Sequence, residues 1–337
     1  MKAIGYYKNH PVTEPDALVD IEIPKPEPGP RDLLVRIEAI SVNPADVKQR
    51  ANSAPTGGSA RILGYDAVGT VEGVGSDVRF FKVGDEVFYA GAIDRPGTYA
   101  EFHAVDERVV GLKPRSLSNA EAAALPLTSL TAWELLFEKL GVPYGTKANR
   151  EAILIINGAG GVGSILTQIA RRLTGLTVVA TASRPETIAW VKQMGAHYVV
   201  DHRKPLDEEL RRIGIPHVKY VAGLTSTDRH QEAILEILKP RGALAMIDDP
   251  ESFDVVKFKR KSLSVHWELM FTPTLFQTPE MDDQHRILTE VSALVDSGVI
   301  QTTLREDAGK INAENLKRAH AILESGRGIG KTVLSGF

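Results

Sequence analysis

Ile153-Leu-Ile-Ile-Asn-Gly-Ala-Gly-Gly-Val-Gly-Ser164 carries the reading that decides the fold. An apolar, β-branched run ends in three glycines spaced Gly158-x-Gly160-x-x-Gly163, and helical spacing follows at once. This is the order of a buried parallel strand, a tight turn and a helix start. Gly158 permits the turn, Gly160 lets the backbone approach a pyrophosphate, and Gly163 lets the helix pack close to the strand. The bare N–H groups of the helix start, at Gly161, Val162 and Gly163, then face an anion. Glycine-rich turns are common by themselves, but here the strand before and the helix after supply the context that dinucleotide binding requires.

Downstream, the alternation of strand and helix continues. Strands are predicted over 152–157, 176–182, 197–200, 218–222 and 243–247. Between them fall helices over 162–173, 185–194, within 206–213, and 228–238. Repeated βα units imply a parallel sheet with right-handed crossovers and helices on both faces, an α/β doubly wound fold with its ligand at the carboxyl ends of the strands.

Upstream the texture differs. The first ~120 residues alternate with period two, as in Leu33-Leu-Val-Arg-Ile-Glu-Ala-Ile-Ser-Val42, and read as a small curled β domain. Ser118-Asn-Ala-Glu121 is a capping box that opens an alanine-rich helix. From about residue 265 come a strand, helices over 282–296 and 313–324, and a final strand over 331–334. This is too much structure to dangle, so the tail is expected to return to the first domain. The division expected is 1–124, 125–264 and 265–337.

Composition narrows the function. The 337 residues include 43% hydrophobic and 25% charged side chains, as in a globular protein with ordinary cores. With 40 basic and 43 acidic residues, a net charge of −3, there is no electrostatic reason to expect nucleic acid or an anionic membrane surface. No apolar run approaches the ~20 residues that cross a bilayer. The N-terminus has no apolar core of signal-peptide length, which points to a cytoplasmic location. The absence of cysteine excludes disulfides, a thiolate nucleophile and cysteine-ligated zinc. The nine histidines show no ligand spacing, so no metal site is predicted.

The nicotinamide cofactor can be read from the end of the second strand. An NAD site places Asp or Glu there for the ribose 2′-hydroxyl. This chain has Ser183-Arg184 instead. A carboxylate would repel a 2′-phosphate, whereas an arginine fork holds one, so NADP is expected. Ser183-Arg-Pro-Glu186 also reads as a capping box, which explains Ser183 and Glu186 but neither Arg184 nor the missing acid.

Together these features resemble the medium-chain dehydrogenase/reductase superfamily over essentially the whole chain, and within it the zinc-free quinone oxidoreductase branch. The stretches that carry the resemblance are Ser41-Val-Asn-Pro-Ala-Asp46, Val83-Gly-Asp-Glu-Val87, Ala124-Leu-Pro-Leu-Thr-Ser-Leu-Thr-Ala-Trp133, the glycine turn, and Gly330-Lys-Thr-Val-Leu334. The resemblance implies a GroES-like β-rich catalytic domain beside the dinucleotide domain, and a homodimer. Zinc-dependent members have cysteine where this chain has Asn43, and Gly-His-Glu where it has Gly64-Tyr65-Asp66. Their structural-zinc lobe is replaced by a short Asp94-Arg-Pro-Gly97 turn. By the same resemblance Asn43 and Thr128 line the nicotinamide pocket, and His202 lies against the adenosine end. Gly223 and Leu224 pass the adenine ribose, and the turn after Ile247 and the segment Met270-Phe271 pass the nicotinamide. Lys331 matches a basic position near the cofactor, although a solvated surface lysine fits equally.

Without a metal to stabilise an alkoxide, the easier hydride acceptors are quinones and activated enones, which delocalise the charge themselves. The candidate catalytic residues are Tyr65 and Asn43. Tyr65 replaces a former metal ligand, and its phenol can donate to a developing oxyanion or fill the vacated space. Asp46 and Lys48 read as a surface pair, and Trp267 as either pocket wall or core. An alternative function is a non-catalytic NADPH-binding protein of the same fold.

Overall fold

The computed structural model describes all residues, 1–337. The chain divides into two compact units, one of 1–130 with 271–337 and the other of 131–270.

The second unit is built on six parallel strands in the order Tyr198–Val200, Thr177–Thr181, Ala152–Ile156, Val218–Gly223, Leu238–Met246 and Ser264–Trp267. The central strand Ala152–Ile156 is buried at every position, as a strand covered on both faces must be. Helix Gly161–Leu173 follows the glycine turn and turns Ile165, Leu166, Ile169 and Ala170 inward. On one face of the sheet Leu154, Val179, Val221 and Leu244 pack with Leu210, Ile234 and Ile237.

The first unit holds a seven-stranded sheet whose long central strand, Asp32–Ser41, pairs antiparallel with Asp66–Val74, Phe102–Asp106 and the C-terminal strand Lys331–Ser335. Leu33, Val35, Ile37 and Ala39 of that strand are buried at period two. A smaller sheet joins Val19–Glu22, Lys2–Tyr6 and Arg61–Ile62.

Three sequence expectations need correction. The boundary expected at 264/265 lies at 270/271, because Ser264–Trp267 pairs with Leu238–Met246 as the sixth parallel strand and does not start the returning segment. The boundary expected at 124/125 lies at 130/131, inside helix Pro126–Trp133. The β texture of the first 120 residues also hides a helix, Pro44–Asn52, which starts with proline at its first position and with the Asp46 carboxylate accepting from the Asn43 N–H at 2.7 Å.

The glycine turn shows why its residues are glycine. Asn157 is left-handed, with φ 64°. A Cβ on Gly158 would stand 2.7 Å from the Ala180 Cβ, and one on Gly163 would stand 2.2 Å from the Asn157 carbonyl oxygen. Gly163→Ala is therefore expected to cost about 1–3 kcal/mol of unfolding free energy, the range for overpacking. Gly73→Ala, whose Cβ would meet Leu34 only at 3.6 Å, is the control. Urea denaturation of both variants checks this, and equal midpoints would refute the packing role of Gly163.

Candidate functional site

In the second unit, the carboxyl ends of the parallel strands gather the residues singled out from the sequence. Helix Gly161–Leu173 is capped by Gly160, which offers no side-chain acceptor. The N–H groups of Gly161, Val162 and Gly163 have no carbonyl partner within the helix, as at any helix start. Thr181, ending the neighbouring strand, receives the Asn157 N–H on its Oγ1 at 2.9 Å and the Gly158 N–H on its carbonyl at 3.1 Å. The His202 Nδ1 lies 3.2 Å from the same hydroxyl, so the imidazole stands beside the turn. Burial lowers its pKa and favours the neutral ring. Gly223 pairs with Ile156, and its carbonyl accepts from the Ile247 N–H at 3.1 Å. Leu224, next to it, is buried.

Ser183 and Arg184 stand at the end of the second strand. The capping box expected from Ser183 and Glu186 does not form. The helix Pro185–Gln193 is capped one residue later, where the Thr187 Oγ1 accepts from the Arg184 N–H at 3.1 Å and donates to the Arg184 carbonyl at 2.9 Å. Thr187 does this because a guanidinium has no acceptor. The Arg184 side chain instead lies 3.1 Å from Glu186, both partly exposed. A second arginine, not found from the sequence, joins it: the Arg203 Nη2 donates to the Ser183 carbonyl at 2.9 Å. Arg203 also holds Asp201 at 2.8 Å and draws its carboxyl down to about 2. The signal was Asp201-His-Arg203, one turn past the third strand, with a basic residue beside the predicted His202.

The first unit contains a buried polar cluster centred on Asp66. Its Oδ2 accepts from the Ser41 hydroxyl at 2.6 Å, the Asn43 Nδ2 at 2.8 Å and the Lys331 ammonium at 3.0 Å, and its Oδ1 from the Leu127 N–H at 2.7 Å. The Lys331 ammonium also donates to the Val42 carbonyl at 2.9 Å and to the Asn43 Oδ1. All three ammonium protons are therefore used inside the protein, and Lys331, 4% exposed, is not a surface lysine. Thr128 is buried one residue beyond Leu127, its hydroxyl donating to the Leu125 carbonyl at 3.2 Å. No group of three or more His, Cys, Asp or Glu side chains is placed to hold a metal ion.

Asp46, read as half of a surface pair, is fully buried. Its oxygens accept from the N–H groups of Asn43 at 2.7 Å and Gly64 at 3.0 Å. Desolvation nonetheless pushes its carboxyl up to about 7. Tyr65 is buried against Phe271, ring centres 5.0 Å apart, and burial raises its phenol well above the usual value. The positive charge of Arg61, whose guanidinium donates to Gln49 Oε1 at 2.9 Å, opposes the rise. Arg61 had no sequence signal beyond standing four residues before Tyr65.

Two buried carboxyls meet within the second unit. Glu268 follows the sixth strand, and its two oxygens are buried without a hydrogen-bond partner. Glu134 opens a π-helical turn closed by the Leu140 N–H on the Leu135 carbonyl at 3.0 Å. Lys139 stands 3.7 Å from Glu268. Desolvation, with the charge of Glu268 beside Glu134, raises both carboxyls. Trp267 beside them is 55% exposed and is not core.

With both sites described, comparison with known proteins places the chain. Residues 29–115 match the alcohol dehydrogenase GroES-like domain and residues 194–334 the zinc-binding dehydrogenase domain. A zinc-type alcohol dehydrogenase-like protein of Staphylococcus aureus is 40% identical over 337 residues, 99% of this chain and 100% of its own. The chain belongs to the medium-chain dehydrogenase/reductase superfamily. The 2-methylene-furan-3-one reductase of Solanum lycopersicum is 31% identical over 90% of this chain and 71% of its own. The crystal structure of Escherichia coli quinone oxidoreductase complexed with NADPH matches with a TM-score of 0.84 and 26% identity, covering 99% of this chain and 100% of that one.

The two raised carboxyls make a pH prediction. The folded state binds protons at Glu134 and Glu268 more tightly than the unfolded chain does. Their stabilising contribution is complete below the ordinary Glu range and is lost as pH rises through the raised folded values. Glu134→Gln keeps the side-chain volume without the titration. The variant is expected to melt about 2–4 °C above wild type in mild alkali, the shift that 1 kcal/mol makes in a domain of comparable size, and to lose that advantage in acid. Parallel melting curves across pH would refute the raised titration of Glu134.

Proposed function

We propose that the protein is an NADPH-dependent oxidoreductase that needs no metal and reduces quinones or activated enones. The observation that carries this reading is the Asp66–Lys331 pair. At the position where zinc-dependent relatives hold a metal, this chain offers an amide, a phenol and a carboxylate already neutralised 3.0 Å from its own ammonium. Asn43, Tyr65 and Asp66 so arranged do not make a zinc donor set, whose usual members are thiolate, imidazole and free carboxylate.

The residues at the glycine turn fit a dinucleotide. Gly161, Val162 and Gly163 present N–H groups to a pyrophosphate, His202 and Leu224 flank the adenosine, and Arg184 and Arg203 offer guanidinium forks to a 2′-phosphate. NADPH supplies the hydride when bound. An acceptor whose oxygen is conjugated with the attacked carbon spreads the incoming charge, and the protein need only orient it, exclude water and donate to that oxygen. The Tyr65 phenol, raised in pKa and packed against Phe271, suits a donor that stays protonated; Asn43 is fixed through Asp66 and Lys331. The named activities of the tomato and Escherichia coli relatives support this substrate class. A cytoplasmic homodimer completes the proposal.

The test is NADPH oxidation, followed by nicotinamide absorbance, across quinones, enones, unactivated ketones and alcohols, before and after EDTA. Turnover is expected with the first two classes only, and unchanged by chelation. Tight NADPH binding with no turnover would instead establish a binding protein, and loss of activity together with one zinc per chain would overturn metal independence.

The cofactor assignment is checked separately. Arg184→Ala should weaken NADPH binding by about 1.5–3 kcal/mol, the value of a hydrogen bond to a charged group, and leave NADH binding nearly unchanged. Equal weakening of both cofactors would remove Arg184 from the 2′-phosphate site.

A further inference from the structure

At the opposite edge of the six-stranded sheet from the glycine turn lies a surface basin of about 360 Å³. Helix Gly161–Leu173 starts at the turn and ends at the basin, so its thirteen residues, at ~1.5 Å each, separate the two by about 20 Å. The basin is lined by Lys147, Arg150, Arg171 and His197 together with small and apolar residues, and by no Asp or Glu. Three separate segments supply these cations: the loop before the central strand, the last turn of the helix, and the turn before Tyr198–Val200.

Part of this charge serves the helix. The Lys147 ammonium donates to the Arg172 carbonyl at 2.7 Å and the Thr174 carbonyl at 2.8 Å, which caps the negative end of the helix dipole. The same bonds hold the loop in place. Glycine is required beneath that loop, since a Cβ on Gly175 would stand 2.4 Å from the Asn149 carbonyl oxygen and 2.5 Å from that of Lys147. The loop thus presents Arg150 from a fixed backbone, and Arg150 itself has no hydrogen bond or ion pair.

His197 gives the decisive observation. Its Nδ1 accepts from the Val178 N–H at 2.9 Å. A neutral ring with an accepting Nδ1 must carry its proton on Nε2. Yet Nε2 lies 2.8 Å from the Arg171 Nη1, which has only protons to offer. Two donors converge where neither can accept, and an oxyanion placed beside them would satisfy both. Burial and the Arg171 charge lower the His197 pKa, as a cationic site awaiting an anion would.

We propose that this basin binds a small molecule through its phosphate group, held by Arg150, Arg171 and His197. Two guanidinium forks and an imidazole N–H converging from three segments match the three terminal oxygens and double charge of a phosphate ester. The basin is also larger than inorganic phosphate alone requires. The site is independent of the proposed NADPH site, and its test needs no turnover.

The test follows the His197 imidazole by NMR, with His197→Gln identifying its resonance, in millimolar glycerol 3-phosphate, inorganic phosphate, acetate, or sodium chloride at matched ionic strength. The phosphate monoester is expected to raise the His197 pKa by about one unit, because an anion favours the charged ring. Inorganic phosphate should do so at higher concentration, and acetate and chloride hardly at all. Arg150→Ala and Arg171→Ala, both at exposed positions and checked for folding by circular dichroism, should each weaken the response about tenfold or more. An equal shift in chloride, an unchanged response in both variants, or a phosphate shift at His202 with none at His197 would overturn the proposal.

Discussion

The first unit depends on one carboxylate. Asp66 is fully buried, and its oxygens accept from Ser41, Asn43, Leu127 and Lys331, which belong to three separate stretches of chain. A charge so placed is tolerable only when it is paired and hydrogen-bonded throughout, and the removal of one partner from such a pair typically costs about 3–5 kcal/mol. The pair is therefore less a source of net stability than a condition of register. Strand Lys331–Ser335 can join the sheet only where its lysine reaches the carboxylate, and Asn43 can take one orientation only between them. The polar surface that the unit offers for chemistry is a by-product of this internal neutralisation.

The nucleotide unit is governed by close approach rather than by charge. Its glycines lie where strand, turn and helix come too near for a side chain, and the adjoining strand end supplies Thr181 to bind the Asn157 N–H and carry His202. The edges of the sheet then differ in character. The carboxyl edge exposes helix-start N–H groups and two arginines near Ser183, and the amino edge gathers cations around a helix end. At the last strand, burial of Glu134 and Glu268 favours their neutral forms, since the Glu268 oxygens have no hydrogen-bond donor to hold a charge.

What could be read from the sequence follows the range of the forces involved. Helix Ala313–Glu324 is visible because one-sided burial imposes a period on neighbouring residues, and strand Ala152–Ile156 because burial on both faces makes an unbroken apolar run. The glycine turn is visible because backbone geometry restricts residue type locally. Helix Pro44–Asn52 escaped because its apolar moment is small within a β-patterned region, and only Asn43-Pro44 marked its start. The sixth strand was assigned to the wrong unit because four residues carry no sign of which sheet will receive them. The role of Lys331 was open for a stronger reason: its partner Asp66 is 265 positions away, and no spacing rule spans that separation. The burial of Asp46 and of Glu134 has no sequence signal on the same ground, since burial of a charged group is decided by tertiary neighbours and not by sequence pattern.

The C-terminal strand has a consequence for how the molecule is made. The nucleotide unit is one continuous stretch, 131–270, and all of its core is available once that stretch has been synthesised. The first unit is discontinuous: the Ala39–Ser41 end of its central strand lacks its second neighbour until Lys331–Ser335 arrives. Contacts closed over such a separation form late, because the loop entropy must be overcome before they contribute. Until then the first unit has a short unpaired strand edge and an aspartate without its counter-ion. The unit whose synthesis begins first can thus be completed only last, and the ammonium of Lys331 is among the final pieces that make it whole.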